Sequence, residues 1–326
     1  MQLLVTGGTG FVGSWLVKRL VQDGHQVRVL HRQGSSLDEL TGVDFESAYG
    51  DVTNVESVVA ACKGVDSIFH LAGVVGYSPA MRAQMEKVNV EGTENVVTAC
   101  RKNDVRRLLH VSSVVAIGAS FKPNMLNENS PYMISSLNLG YFETKREAEE
   151  KVRAAVRKKE LDAVIVNPST VYGPGDAKKG SRKVQIKVAQ GRFPFYPSGG
   201  QSIVSIHDVI DGMLKAWQKG RTGERYILSG ENLYIRDVFR KIAARGGAKP
   251  PKIYLPKSVA LMMGRVGDRL EKMGKKTPIN LENAWVSSLF HWFDSSKAKI
   301  ELGFNPRSAD EALNESVDWM KENGLL

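Results

Sequence analysis

Eight residues near the start of the chain constrain its folding more than any others. Residues 6–13 read Thr-Gly-Gly-Thr-Gly-Phe-Val-Gly, directly after the apolar run Leu3–Val5 and at the opening of a helical pattern over Gly13–Gln22. Gly7 permits a tight turn, Gly10 lets the backbone approach a pyrophosphate, and Gly13 lets helix and strand pack closely. The helix N-terminus then offers N–H groups to the anion. The Gly-x-x-Gly-x-x-Gly spacing differs by one residue from the more familiar dinucleotide fingerprint. The strand before it and the helix after it therefore carry the reading.

The same alternation continues downstream. Leu3–Val5, Val27–Leu30, Phe45–Ala48, Ser67–Leu71, Leu108–Val111 and Ala163–Val166 read as strands. Helical patterns lie between them at Gly13–Gln22, Val55–Ala61, Met85–Lys102 and Tyr141–Lys159. Continuous apolar strands separated by helices predict a doubly wound α/β parallel sheet covered on both faces. After Gly173 the chain turns rich in Gly, Pro and Lys up to about Gly200, then gives a helix near Asp208–Gln218 and a strand near Arg225–Leu228. The expected organisation is a dinucleotide-binding domain over residues 1–172 with a return segment about 201–230. Residues 173–200 and 231–326 form a smaller C-terminal substrate lobe.

Composition narrows the class. At 326 residues, 42% hydrophobic and 25% charged, the chain is globular rather than disordered or fibrous. No apolar run reaches the ~18 residues of a membrane span. No basic leader or cleavage site opens the chain, so a signal peptide is not expected. Two cysteines, Cys62 and Cys100, exclude a disulfide framework and a cysteine-rich metal site, and fit a reducing cytoplasm. Residues 1–180 carry 21 basic and 20 acidic side chains, whereas residues 181–326 carry 24 and 15. The second half therefore favours anionic partners or simply a solvated basic surface. A small molecule is the expected partner, and no nucleic acid is expected.

The second strand ends at Leu30, where an NAD site would place Asp or Glu on the ribose. Here stand His31 and Arg32, followed by Ser35 and Ser36. Arg32 suits the 2′-phosphate of NADP through charge-assisted hydrogen bonds, or is a plain surface residue. Asp51, after the third strand, is placed to accept from the adenine amino group, to cap the helix at Val55, or both. Tyr141 and Lys145 are four residues apart and share a helix face. An ammonium beside the phenol is expected to lower its pKa toward neutrality, as proton exchange requires. Ser112 and Ser113 follow the strand Leu108–Val111, at the carboxyl edge where open α/β sheets bind ligands.

Together these segments resemble the extended short-chain dehydrogenase/reductase superfamily, over nearly the whole chain. The marks are Thr6–Gly13, Gly50-Asp51-Val52, His70-Leu71-Ala72-Gly73, Asn89–Thr93, Ser112-Ser113, Tyr141–Lys145, Asn167-Pro168-Ser169, Asp294–Ala298 and Leu302-Gly303-Phe304. Within it the chain is similar to dihydroflavonol 4-reductase-like proteins, a group that includes proteins labelled hopanoid-associated sugar epimerases. The resemblance implies a Rossmann fold with a catalytic triad of Ser113, Tyr141 and Lys145, and Asn89 as the nearby helix asparagine. It implies cofactor contacts at Gly7, Thr9, Gly10, Phe11, Val12, Gly13, Arg32, Ser35, Asp51, Val52, Leu71, Ala72, Gly73, Tyr141, Lys145, Pro168 and Ser169. The cofactor implied is NADP, with NAD as the alternative. The family habit also implies a monomer, or a homodimer built on the helices Met85–Lys102 and Tyr141–Lys159.

Departures from the superfamily pattern bear on the reaction. Val114-Val115 stand where dehydratases carry an acidic pair, so water elimination is not expected. Gln201 stands where sugar-nucleotide epimerases present an arginine, and Leu289-Phe290-His291-Trp292-Phe293 replaces a second one. The pocket is expected to favour apolar or aromatic matter, with those aromatics either lining it or forming core. Lys178, Lys179, Arg182, Lys183 and Lys187 make a loop read as solvated, or as a grip on an anionic substrate. The basic stretch Ser258–Lys276 is expected to bury its apolar face in the lobe, with peripheral contact to an anionic membrane as the alternative. The leading expectation is an NADP(H)-dependent oxidoreductase that transfers a hydride between the nicotinamide and a carbonyl or secondary-alcohol carbon of an apolar or aromatic small molecule. A sugar epimerase on the same residues is the second, and a nonenzymatic dinucleotide sensor the last.

Overall fold

The computed structural model describes residues 1–177, 182–275, 277 and 279–326. The first part of the chain runs β1 (Gln2–Thr6), α1 (Phe11–Gln22), β2 (Gln26–His31), β3 (Glu46–Tyr49), α2 (Val55–Ala61) and β4 (Ser67–His70). It continues α3 (Arg82–Met85), a π turn at Glu86–Glu91, α4 (Gly92–Lys102), β5 (Arg107–Val111), α5 (Gly140–Arg157) and β6 (Ala163–Pro168). The remainder gives β7 (Thr170–Tyr172), α6 (Lys183–Ala189), β8 (Phe195–Pro197), β9 (Gly200–Ser205), α7 (Ile206–Lys219), β10 (Arg225–Leu228) and β11 (Glu231–Tyr234). Last come α8 (Ile235–Gly246), β12 (Ile253–Leu255), α9 (Lys257–Lys272), α10 (Leu281–Ser288), β13 (Phe290–His291), α11 (Ser296–Leu302) and α12 (Ala309–Glu322).

Seven strands form one sheet in the order β10-β6-β5-β4-β1-β2-β3, every neighbouring pair parallel. Strand order reverses between β1 and β4, which opens a crevice at their carboxyl ends. The expected doubly wound parallel sheet is thus the fold observed, with strand ends shifted by a residue or two. Burial explains the composition of each strand. Every residue of β6 (Ala-Val-Ile-Val-Asn-Pro) is buried, as a central strand covered on both faces requires. By contrast β3, at the sheet edge, leaves Glu46, Ser47 and Tyr49 exposed and carries no run of β-branched residues.

One face of the sheet is covered by α1 and α7, which pack together over Leu3, Val5, Phe69, Leu109 and Trp217. The other is covered by α2, α4 and α5 over Leu4, Ile68, Leu108 and Ile165. The expected helix over Met85–Lys102 is continuous in direction but changes hydrogen bonding, running α, π and α in turn. A π turn inserts an extra residue and re-aims the side chains around it. Here it carries Asn89.

A second layer sits over the carboxyl edge. There β7, β11 and β13 each pair with β9, and β12 pairs with β8. Tyr172, Val188, Ile203, Phe239 and Leu313 form its core. After β9 has joined this second layer, β10 adds to the large sheet beside β6. Cys62 and Cys100 are both buried thiols, pushed up in pKa by burial. Among the described residues no helix is long and apolar enough to cross a membrane.

Candidate active site

The glycine segment forms a left-handed turn followed by a bare helix start. Gly7 has φ +73°, and a Cβ there would lie 2.7 Å from the Ala72 backbone nitrogen. A Cβ on Gly13 would meet the Gly7 carbonyl oxygen at 2.1 Å. Only glycine permits either approach. Gly10 caps α1 without a side-chain hydrogen bond, so no side chain competes for the first N–H groups of the helix. Thr6 closes the base of this crevice. Its hydroxyl lies 2.7 Å from His70 Nδ1 and accepts from the Ala72 N–H.

A cavity of about 1170 Å³ opens from this crevice toward the lobe. Thr9, Phe11, Ser113, Tyr141 and Ser169 all line it. The buried Ser169 hydroxyl has no hydrogen-bond partner within the protein, which leaves it available to a ligand. A glycine cradle, an uncapped helix start and an orphaned hydroxyl on one wall fit a nicotinamide dinucleotide. Leu71, Ala72 and Gly73 run along the carboxyl end of β4 beneath Gly7. Val52 packs under Gly92, and Pro168 ends β6 beside Ser169.

The adenine end differs in detail from expectation. Arg32 is exposed just beyond β2, with Ser35 half-buried nearby. Neither they nor Asp51 line the cavity, whose wall here is Ser36, Asp38 and Glu39. A short helical turn at Asp38–Leu40 brings these carboxylates back toward the crevice, although none stands at the strand end itself. Asp51 does not cap α2. Its carboxylate accepts from Thr53 N–H at 2.9 Å, while Asn54 caps the helix through Ser57 N–H at 2.8 Å.

At the catalytic end, the Ser113 hydroxyl and the Tyr141 phenol line the same cavity wall, close enough for the hydroxyl to favour the tyrosinate. Lys145 lies one turn along α5, and its ammonium donates to the Val111 carbonyl at 2.9 Å. The expected lowering of the phenol pKa does not occur here. Burial pushes the phenol up, with neighbouring Tyr77 adding to the shift and the Ser113 hydroxyl opposing it. Lys145 is itself brought down to about 8 by burial, against the attraction of Glu149. Desolvation disfavours the charged form of each group.

Asn89 is nearby but does not touch this pair. Its side chain bonds both backbone groups of Val74 and donates to the Thr144 hydroxyl at 3.2 Å. It therefore fastens the loop after β4 to the helix that carries Tyr141. Ser113 is held from behind. Asn167 donates to the Ser113 carbonyl and to Glu149, each at 2.9 Å, and Glu149 also accepts from Ser112 and Arg225. Arg225 and Glu149 are 76 residues apart, so nothing local signalled this buried ion pair.

The lobe supplies the far wall, and mostly from residues that pattern reading passed over, Phe193, Phe195, Phe239, Leu255 and Ile279, with Tyr77 added from the loop after β4. Tyr77 stands edge-on to Tyr141, ring centroids 5.9 Å apart. The Leu289–Phe293 run is chiefly core, since Leu289, Phe290 and Phe293 are buried and only His291 lines the cavity. Burial lowers the His291 pKa, and its Nε2 lies 3.0 Å from the Val286 carbonyl. Gln201 also faces the cavity and donates to the Tyr172 hydroxyl at 3.3 Å. The basic loop is not wholly solvated. Arg182 pairs with buried Asp176 at 3.3 Å and stacks 3.9 Å over the Tyr172 ring. Lys178 and Lys179 lie outside the described residues.

Comparison with known proteins places this arrangement. The NAD dependent epimerase/dehydratase family model matches residues 3–229. A Synechocystis protein named dihydroflavonol 4-reductase is 31% identical over 99% of this chain and 95% of its own length. Sterol demethylase protein B of Methylococcus capsulatus is 32% identical over the full length of both. The crystal structure of gox2253 superposes with a TM-score of 0.88 at 35% identity, covering 99% of each chain. A family model matched over residues 3–229, and relatives above 30% identical over nearly the whole chain, leave one assignment: the chain belongs to the NAD-dependent epimerase/dehydratase family and is an oxidoreductase of the extended short-chain type.

Proposed function

We propose that the chain uses NADP(H) to interconvert a carbonyl and a secondary alcohol on an apolar small molecule. The observation that carries this reading is that Ser113 and Tyr141 stand together, with Lys145 one turn further along α5, at the wall of a largely apolar cavity. A bound nicotinamide supplies or accepts the hydride. Tyr141 is protonated at neutral pH and so has a proton to donate to a developing alkoxide. Ser113 fixes the substrate oxygen beside that phenol. Lys145, anchored on Val111, places a positive charge under the site that favours the tyrosinate left behind. Phe193, Phe195 and Phe239 exclude water and take the hydrocarbon of the substrate.

Arg182 does line the cavity, but its guanidinium is paired with buried Asp176. Gln201 cannot neutralise a diphosphate as an arginine would, and Val114-Val115 cannot serve as acid and base for elimination. A sterol-handling relative and a flavonoid-reductase-type relative both have names consistent with a polycyclic or aromatic substrate. Tyr141→Phe tests the assignment. Carbonyl reduction should fall by about two to four orders of magnitude while NADPH binding stays within about twofold. Undiminished turnover in that variant would remove Tyr141 from the chemistry.

A further inference from the structure

The helix α9 is built the wrong way round for a lobe helix. Its inward face is small: Ala260, Gly264 and Gly267 are buried, and a Cβ on Gly267 would meet the Ile279 carbonyl at 2.0 Å. Its outward face is large and apolar. Val259, Met262, Met263, Val266 and Met273 are all exposed, Met262 at 58% and Val266 at 51%. The expectation that this stretch buries its apolar side chains holds for Leu261, which packs with Ala260 and Ala284, but not for Val259, Met262, Met263 and Val266. Close backbone packing against α10 pushes them into solvent instead.

The surroundings extend the patch. Ile253 and Tyr254 on β12 are exposed, and so is Phe195, the register partner of Ile253 on β8. Phe195, Leu255 and Met263 also line the large cavity, so the patch and the cavity wall share side chains. Contiguous exposed apolar surface of this kind marks an interaction site.

Charge selects the occupant. Arg265, Arg269 and Lys272 run along one flank of the apolar stripe, and all three are exposed. The carboxylates of α9 turn inward, with Asp268 accepting from the Leu281 N–H and Glu271 from the Thr277 hydroxyl. Among the described residues of the helix, the outward face is therefore apolar and cationic. A second copy would set the same cations against one another. An anionic bilayer instead takes methionine and valine into its acyl boundary and pairs arginine and lysine with headgroups.

We propose that α9 and the β12–β8 ribbon dock on an anionic lipid surface, with the cavity mouth held at the membrane plane. An apolar substrate would then enter from lipid without crossing water. Docking does not depend on the chemistry at Tyr141, so failure of the reductase assay leaves this inference standing.

Flotation of the full chain with vesicles tests it, using phosphatidylcholine alone and an equimolar mixture with phosphatidylglycerol. Binding is expected only to the anionic vesicles, and to weaken as salt is raised. Arg265→Gln and Arg269→Gln should each reduce it about fivefold. Met262→Asp with Val266→Asp should abolish it at an unchanged melting temperature, since both side chains are exposed. The proposal fails if the chain does not float with anionic vesicles at low salt. It fails equally if the Asp pair leaves flotation intact, or if light scattering finds a dimer that Met262→Asp dissociates.

Discussion

Single residues decide the chemistry through how they are desolvated. Tyr141 and Lys145 sit one helical turn apart, yet burial moves the phenol up and the ammonium down, each toward its neutral form. Lys145 carries its charge below about pH 8 and loses it above. Carbonyl reduction should accordingly decline as pH rises through about 8, and a kcat/KM profile measured across that point checks it. A profile flat to pH 10 would leave Lys145 without an electrostatic role. In the proposed reading, cofactor choice also rests on one side chain. Arg32→Asp should shift the NADPH over NADH preference by about tenfold or more toward NADH, through loss of a charge-assisted contact to the 2′-phosphate. An unchanged preference in competition binding would assign that end of the site to Ser36, Asp38 and Glu39 alone.

Elements set the distances that those residues need. The segment from β1 to α1 was legible because each glycine answers a backbone demand that no other residue meets. Gly13→Ala should therefore cost about 1–3 kcal/mol, from a Cβ driven against backbone atoms that cannot yield. Urea midpoints compared with Gly24→Ala make the test. Gly24 also has positive φ, but nothing lies within 4 Å of an added Cβ, so its cost is conformational alone. The π turn at Glu86–Glu91 was not legible, because a one-residue insertion leaves no mark on a 3.6-residue period. The same holds for α9. Its hydrophobic period is clear in sequence, but which stripe faces inward depends on how closely α10 approaches.

At the scale of the whole molecule, buried polar groups link the fold to pH. His70 and His110 stand on neighbouring strands of the large sheet, rings 5.3 Å apart, and both are fully buried. Burial brings His70 down to about 3 and His110 well below 6.5, helped in each case by the Lys145 charge. The unfolded chain binds these protons more readily than the folded one. Their contribution to stability is thus whole above pH 6.5 and is lost as pH falls from 6.5 toward about 3. His110 has no hydrogen-bond partner at either ring nitrogen, so His110→Leu should keep more of its melting temperature than the parent over that window. Equal losses in both proteins would show that carboxylates alone drive acid unfolding.

The sequence by itself determined the Rossmann sheet, the glycine crevice and the family, because each rests on short-range rules. These are strand and helix periods, a turn that only glycine makes, and a tyrosine and lysine one turn apart. Only the tertiary structure decided what surrounds them. Arg225 meets Glu149 from a distant strand, and Arg182 turns from solvent to Asp176. The aromatics of Leu289–Phe293 sink into core, while Phe193, Phe195 and Phe239 come forward to wall the cavity. Such choices depend on which surfaces meet across the chain and on how much water their meeting removes. A linear pattern encodes which residues prefer burial, but not against what they are buried.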